Sequence, residues 1–316
     1  MYTAIKPSQT SQDITNILRR EKHLGTEGIQ APSLKNLKYE FKGEDIKTIA
    51  NLIEKHMVLQ VNEGARKGDL KIFIETPDEK IKLEVEKYSL ELNELKLGDK
   101  DRKALLEEFK KNVREELNKA GGYYDPRGVH LFVLDDSRKK FIENFAKDLM
   151  KHGFIKGKLE GTFEKKPDQE TLNRVARFFT SNFLTHELIH QTLHENYPAV
   201  FKEGKPSEKV VILSPEWTKS PGSKDEAMRI LDEAIAYTVT HEVMIDLGFG
   251  RVSAPTLLSI TTVKPDIAKG IAFLVKVEKE TDGNPIPFVC KEPPICLSEI
   301  NNPEEYIKRI ASAKSK

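Results

Sequence analysis

Apolar residues recur along this chain with two different periods. Helical spacing of three to four residues predicts helices, and alternation of apolar and polar residues predicts strands. Residues 46–56 carry apolar side chains at helical spacing, which predicts a helix. Residues 70–75 and 80–92 alternate apolar and polar positions around the turn-forming segment 76–79, which is typical of a β-hairpin. The first part of the chain therefore predicts a small α+β region over residues 36–96.

Helical periodicity dominates from residue 97 onward. Pro198 disfavours helix at the residue before it, so a long helix should end there, and Ser223 with Glu226 forms a capping box that starts the next helix. The predicted helices cover residues 99–120, 137–152, 168–197, 223–247 and 253–282, the last interrupted at Pro265, and the predicted strands cover 129–135 and 209–217. These elements predict an α+β fold with a catalytic domain at 97–316, preceded by the region at 36–96 and a polar arm at 1–35.

The charge balance argues against several classes of partner. Lysine and arginine number 51 against 50 aspartates and glutamates, which leaves a net charge of +1. A chain without a strong positive field does not favour nucleic acid or an anionic membrane surface as its partner. The longest uncharged run, residues 252–263, is shorter than the roughly 18 residues that a spanning helix needs, and no apolar leader opens the chain. We therefore expect a globular cytoplasmic protein.

Cysteine usage agrees with that expectation, because two cysteines in 316 residues cannot support a disulfide-dense scaffold. Cys290 and Cys296 are close in sequence, and the sequence leaves open whether they pair. A bond between them would fit a hyperthermophilic source, and the high lysine and glutamate content is thermophile-like.

One short motif carries chemistry. His186, Glu187 and His190 form the pattern HExxH inside the predicted helix at 168–197. Residues four apart lie on one face of a helix, about 6 Å apart at their Cβ atoms, so both imidazoles can bind one metal ion. Glu187 follows the first histidine and can take a proton from water in an open coordination position. The alternative is a pair of ordinary core or surface histidines.

The segment FFTSNFLTHELIHQ, residues 178–191, resembles the motif helix of the zincin metallopeptidases in its apolar lead-in, its threonine before the first histidine and its HExxH. The resemblance implies a zincin-like catalytic domain, in which a small mixed sheet with an edge strand accompanies the HExxH helix and the helices that follow. In that family the upstream strand binds extended substrate, and residues 121–135 look like such a strand. The resemblance also implies one catalytic Zn²⁺ per chain, bound by His186 and His190.

A catalytic zinc needs a third protein ligand. The resemblance to the gluzincins, whose third ligand is a glutamate on a following helix, points to residues 225–247. Glu233 lies mid-helix beside alanines whose small side chains would let helices approach closely, so it is the expected ligand. Asp232 and Glu226 are alternatives, although Glu226 already serves the capping box, and an ordinary salt bridge of Glu233 also stays open.

Three more residues lie close to these ligands in sequence. His194 completes HExxHxxxH, but eight helical residues rise about 12 Å, so we expect it beside the ligands or on the surface. Tyr237 and His241 share the helix face of Glu233, and either could donate to the oxyanion formed during hydrolysis. The alternative is that Tyr237 only packs and that His241 acts as a cation near the helix C-terminus.

The sequence therefore predicts a zinc-dependent hydrolase, and the resemblance favours a metallopeptidase in which Glu187 is the general base. Two alternatives stay open: a zinc-stabilised binding or regulatory module with latent or no turnover, and a hydrolase of a non-peptide amide. We expect a peptide or protein substrate and no nucleic acid or membrane partner. Because intracellular proteases need restraint, we also expect either a regulatory protein partner or a narrow substrate range. The oligomeric state stays open.

Overall fold

A computed structural model describes most of the chain. The described residues are 41–93, 95, 97–117, 121–125, 128–132, 136–160, 166–198, 224–281, 283–291 and 295–314. The predicted arm at 1–35, the predicted strand at 209–217 and the predicted helix cap Ser223 lie outside these residues.

Helices make up most of the described structure, with a few short strands, so the predicted α+β class is confirmed. The helices are α1 (Gly43–Met57), α2 (Glu63–Lys67), α3 (Pro77–Asn93), α4 (Asp99–Leu117), α5 (Asp136–Lys151), α6 (Gln169–Asn196), α7 (Lys224–Asp246), α8 (Gly250–Val263), α9 (Pro265–Thr281), α10 (Pro285–Lys291), α11 (Leu297–Asn301) and α12 (Pro303–Lys314). The strands are β1 (Ile72–Glu75), β2 (Gly122–Asp125), β3 (Gly128–Phe132), β4 (Leu159–Glu160) and β5 (Lys166–Pro167). The six helices that the sequence predicts all form, within a few residues of their predicted ends.

Strands β1, β2 and β3 form one mixed sheet in the order β1-β3-β2. The central strand β3 pairs parallel with β1 and antiparallel with β2. His130 in β3 lies opposite both Phe73 and Tyr123, and its ring stacks on theirs at centroid distances of 4.6 Å and 4.4 Å. β2 is therefore an edge strand, and it packs against α6, the helix that carries HExxH.

The predicted hairpin at 70–92 is wrong in its second half, because α3 forms there. Thr76 and Glu79 make a capping box: the Thr76 hydroxyl accepts from the Glu79 amide at 3.3 Å, and Glu79 Oε2 accepts from the Thr76 amide at 2.7 Å. Pro77 stands at the first helical position, where its missing N–H costs nothing. The sheet partner of β1 is instead the distant strand β3. The segment 76–79 was therefore a helix start, which the alternating pattern of 80–92 obscured.

The helices α6 and α7 form the centre of the fold. They pack against each other, α1 and α8 contact both of them, and α9 covers α7. An added Cβ on Gly270 of α9 would lie 2.8 Å from the Cβ of Ala234 in α7, so these two helices approach closely. One cluster of buried apolar residues extends from Ile46 in α1 to Ile310 in α12. The core therefore includes side chains from both sides of residue 97.

Both cysteines lie in the described part of the chain and are free thiols, Cys290 buried and Cys296 exposed. Burial, with a smaller contribution from Asp232, raises the pKa of the Cys290 thiol to about 12. Cys290 is therefore an inert core residue at neutral pH. Within the described residues, no helix is both long and apolar enough to cross a bilayer.

Candidate metal centre

The motif helix α6 begins at a side-chain cap. Oδ1 of Asp168 accepts a hydrogen bond from the backbone N–H of Thr171 at 2.8 Å, which satisfies one of the free amides of a helix start. The helix then continues for 28 residues, with most of its side chains buried. This rigid, buried element holds His186 and His190 one turn apart on the same face.

The two motif histidines meet Glu233 of α7. Nε2 of His186 lies 3.2 Å from Nε2 of His190, and the two rings are nearly perpendicular at 87°. Oε2 of Glu233 lies 3.8 Å from Nε2 of His186. One ligand atom from each residue lies within 4.8 Å of the others. The packing of α6 on α7 thus brings together the three residues that the sequence predicts as metal ligands.

These three residues fit a zinc ion. Two nitrogens bound to one tetrahedral zinc at about 2.0–2.1 Å lie about 3.3–3.4 Å apart, close to the 3.2 Å between the two Nε2 atoms. Oε2 of Glu233 is buried and has no hydrogen-bond partner among the described residues. A buried carboxylate oxygen without a partner is unfavourable, and a cation would satisfy it. Three such ligands leave one tetrahedral position for water.

Asp232 lies behind the histidine pair. Its Oδ1 is 2.8 Å from Nδ1 of His190, and its Oδ2 is 3.1 Å from Nε2 of His194. A histidine that donates its Nδ1 proton to a carboxylate keeps the Nε2 lone pair for a metal. Asp232 is therefore an orienting partner of His190. His194 contacts this partner, which agrees with the predicted position beside the ligands.

His190, His194 and Asp232 form a second group whose ligand atoms lie within 4.8 Å of one another. In this group both carboxylate oxygens already lie at hydrogen-bond distance from ring nitrogens. A metal ion would have to displace both hydrogen bonds. The first group contains instead a buried oxygen, on Glu233, that lacks a partner in the described structure. We therefore interpret the second group as a hydrogen-bonded support for the first.

The charges around the histidines favour a cation. Burial would raise the pKa of Asp232, but the charges and hydrogen bonds of His190 and His194 hold it well below its usual value. Burial also opposes a charged His190, yet the nearby carboxylates, above all Asp232, raise its pKa to about 9. Burial and the neighbouring His190 hold the pKa of His186 well below its usual value. A proton is thus held at His190 in the metal-free protein, and metal uptake would release it.

Glu187 has a raised proton affinity beside the first ligand. Burial is the main cause, and although His190 opposes it, the charges of Glu233 and Asp232 help to raise the pKa of Glu187 to about 7. A carboxyl group with a pKa near the working pH can both accept and return a proton. Glu187, the residue after His186, thus has an unusually high proton affinity for a carboxyl group.

Tyr237 packs on the first ligand. Its ring centroid is 4.5 Å from that of His186, and Nζ of Lys264 donates to its hydroxyl oxygen at 3.4 Å. Burial and then the charges of Glu233 and Glu187 raise the pKa of Tyr237, so the phenol stays protonated. No described residue accepts its hydroxyl proton. Tyr237 therefore keeps an available donor next to the site.

His241 lies deeper in the helix packing, two turns beyond Glu233. Its side chain is buried, and Nδ1 is 2.9 Å from the hydroxyl of Ser253 in α8. Burial lowers the pKa of His241 to about 4, so the ring is neutral at pH 7 and cannot act as a cation at the helix end. In the described structure no hydrogen bond or ring contact joins His241 to His186 or His190. Its predicted role as an oxyanion donor stays a prediction.

The edge strand β2 runs alongside the turns of α6 that carry His186 and His190. Gly121, just before β2, abuts the ring of Phe183, where a Cβ would clash. Three residues later, the ring of Tyr124 stacks on that of His190 at 6.4 Å and meets that of His194 edge-on at 5.3 Å. The strand therefore passes from one side of the histidine pair to the other. The single strand predicted at 121–135 is therefore wrong in part: the segment forms two antiparallel strands, β2 and the central β3, and only β2 lies at the edge of the described sheet next to α6. Its use by substrate stays a prediction.

Sequence reasoning missed three contributors to this centre. The sequence predicted Asp232 only as an alternative ligand. Adjacent residues of a helix point about 100° apart, so the neighbours Asp232 and Glu233 can contact different partners. This spacing was the signal for the second role of Asp232. Tyr124 and Lys264 had no signal, because their neighbours in the site come from distant parts of the chain.

No protein-family model matches this chain, and no curated protein and no solved structure matches it either. The resemblance to the zincins therefore rests on the motif residues alone.

Asp232→Asn should lower the zinc affinity about 10–100-fold, because outer partners of ligand histidines typically contribute that much. The change keeps the shape of the side chain and removes the charge that orients His190. Asp246→Asn is the matched control, since Asp246 lies on the same helix and bonds Nε2 of His56 at 2.9 Å, far along α7. Competition with a fluorescent chelator measures both affinities. Equal affinities of the two variants would contradict the orienting role of Asp232.

Proposed function

We propose that this protein is a zinc metallopeptidase with a zincin-like catalytic domain. The observation that carries the proposal is the approach of His186, His190 and Glu233, with Nε2 atoms 3.2 Å apart and a buried, unpartnered carboxylate oxygen in the described structure. A zinc ion bound by these residues would polarise a carbonyl group and lower the pKa of a bound water to about 7. The expected stoichiometry is one Zn²⁺ per chain.

Glu187 is the general base of the proposed reaction. It takes a proton from the attacking water and passes it to the nitrogen of the leaving amine. In the metal-free chain burial raises the pKa of Glu187 to about 7, and a bound Zn²⁺ would lower it, which favours the carboxylate form that accepts the proton. The cleaved C–N bond thus gains a proton on nitrogen and a hydroxyl group on carbon, and the carboxylate returns to its starting state.

Two other side chains support this chemistry. The hydroxyl of Tyr237 donates a hydrogen bond to the carbonyl oxygen as negative charge develops there, and such a donor typically contributes about 10²–10³-fold in rate. Asp232 holds the ring of His190 through the 2.8 Å hydrogen bond to Nδ1, so that its Nε2 faces the metal position. Their contacts on α6 and α7 preorganise the site before substrate binds.

A peptide is the favoured substrate because β2 lies at the edge of the described sheet, along α6 and next to His190. An extended peptide can pair with such an edge by main-chain hydrogen bonds. A non-peptide amide would not use them. A non-catalytic zinc module is disfavoured because it has no use for a carboxyl group with a pKa of about 7 beside the ligands. A cytoplasmic location belongs to the proposal, since both cysteines are free thiols.

Elemental analysis and a peptide-library digest test the proposal together. Protein purified without added metal, or reloaded at neutral pH, should contain one zinc per chain and cleave a library in a chelator-sensitive way. Cleavage is read by mass spectrometry. A protein that stays metal-free after incubation with zinc would contradict the metal centre. A zinc-loaded protein that cuts no peptide would contradict the peptidase assignment and leave the metal centre intact.

A further inference from the structure

Lys264 brings an ammonium group close to the metal centre. It is the C-cap residue of α8 and directly precedes Pro265, the first residue of α9, so its backbone position is fixed between two helices. Its Nζ is 5.6 Å from the ring centroid of Tyr237, which is itself 4.5 Å from that of His186. The ammonium group therefore lies no more than about 10 Å from the centre of the first ligand's ring.

The charge of Lys264 is not neutralised by any described residue. Its side chain is exposed, and its one hydrogen bond in the described structure is the 3.4 Å contact with the hydroxyl of Tyr237. Lys269, one turn further along the chain, pairs with Asp266 at 3.6 Å instead. An ammonium group has three donors, so two donors of Lys264 remain for an incoming acceptor. Its Nζ lies beyond the hydroxyl end of Tyr237, 3.4 Å from the oxygen and 5.6 Å from the ring centroid.

The distance between the Lys264 ammonium group and the metal position limits where along the substrate a bound carboxylate could lie. An extended peptide advances about 3.3–3.6 Å per residue, and a charge-assisted N–H···O bond takes up about 2.8 Å. Because zinc would lie about 2 Å beyond Nε2 of His186, a carboxylate bound to Lys264 would belong to a residue within about three positions of the one whose carbonyl is at the metal. We infer that Lys264 is a specificity-determining residue that binds a substrate carboxylate at this position. The inference rests on the proposed peptidase function.

Such a carboxylate has two sources, the free C-terminus of a peptide or an acidic side chain. In the first case the protein removes short C-terminal fragments, and in the second it cuts near aspartate or glutamate. A hydrogen bond between charged groups typically favours binding by about 10–100-fold. Loss of the lysine should therefore remove a preference of that size.

Two libraries of N-acetylated tetrapeptides test the inference, identical except that one ends in free carboxylates and the other in amides. The zinc-loaded wild type is incubated with each library, and mass spectrometry identifies the cleavage positions. The zinc-loaded Glu187→Gln protein is passed through gel filtration with each library, and mass spectrometry identifies the peptides that stay bound. We expect a preference of about 10–100-fold for free acids, or for peptides with aspartate or glutamate, in both readouts. Lys264→Met should reduce it to about one. Lys269→Met, the matched control, should keep it.

Each outcome decides the inference. Because a carboxylate can also bind zinc itself, a preference that persists in Lys264→Met would overturn the role of the lysine. The inference would also be overturned if the wild type cleaved and bound free acids, amides and peptides with acidic residues equally well. A Glu187→Gln protein that binds no peptide would overturn it too. If Lys264→Met weakened every peptide equally, Lys264 would act through Tyr237 and not on a carboxylate. Selective retention of free acids without any cleavage would support the inference and contradict the peptidase function.

Discussion

Glu187→Gln should abolish peptide hydrolysis while the fold and the zinc content stay as in the wild type. The amide is nearly isosteric with the carboxylate but cannot accept a proton from water at neutral pH, and losing a general base typically costs about 10²–10⁴-fold in rate. No metal ligand is removed, so zinc should still bind at His186, His190 and Glu233. The measurement is kcat/KM on cleaved library peptides at equal zinc content, with thermal unfolding as the check on the fold.

Glu195→Gln is the matched control for this experiment. Glu195 lies on the same helix two turns later and is exposed, where it bonds Gln191 and Asn62. This variant should hydrolyse peptides like the wild type. Hydrolysis that persists unchanged in Glu187→Gln would point to a contaminant or to another catalytic group, and the proposed role of Glu187 would have to be abandoned.

Glu233→Ala should weaken zinc binding by more than the roughly 10–100-fold that losing an outer partner costs, because it removes a direct ligand. The variant would keep only His186 and His190, and two ligands hold zinc poorly. Zinc that binds the folded chain also raises its apparent stability, so the zinc-dependent shift in melting temperature should shrink with the affinity. Chelator competition and thermal unfolding with and without zinc measure the two effects.

Glu226→Ala provides the comparison on the same helix. Glu226 lies two turns before Glu233, in the first turn of α7, and its loss should cost only about 1 kcal/mol of stability as a helix-start partner. Its zinc affinity should equal that of the wild type. Equal zinc loss in the two variants would mean that the third ligand is wrongly assigned.

Local chemistry was sufficient to predict most helices. Asp168 as a cap, continuous apolar periodicity and Pro198 define α6, and these signals act between residues close in sequence. The same local reasoning failed at α3, where alternating apolar residues mimicked a strand. There the capping box of Thr76 and Glu79 and the burial of Ile81, Tyr88 and Leu92, spaced for one helix face, decided the structure.

The sequence by itself determined the HExxH motif, with Glu187 as the proposed general base, and the helix that carries Glu233, because spacing along one helix fixes which side chains share a face. Only the tertiary structure decided that α7 presents Glu233 to His186 and Asp232 to His190, and that β2 and Lys264 come to the same centre. These contacts join residues dozens of positions apart. They depend on how the helices and the sheet edge pack around one core, and a single sequence carries no local signal for that packing.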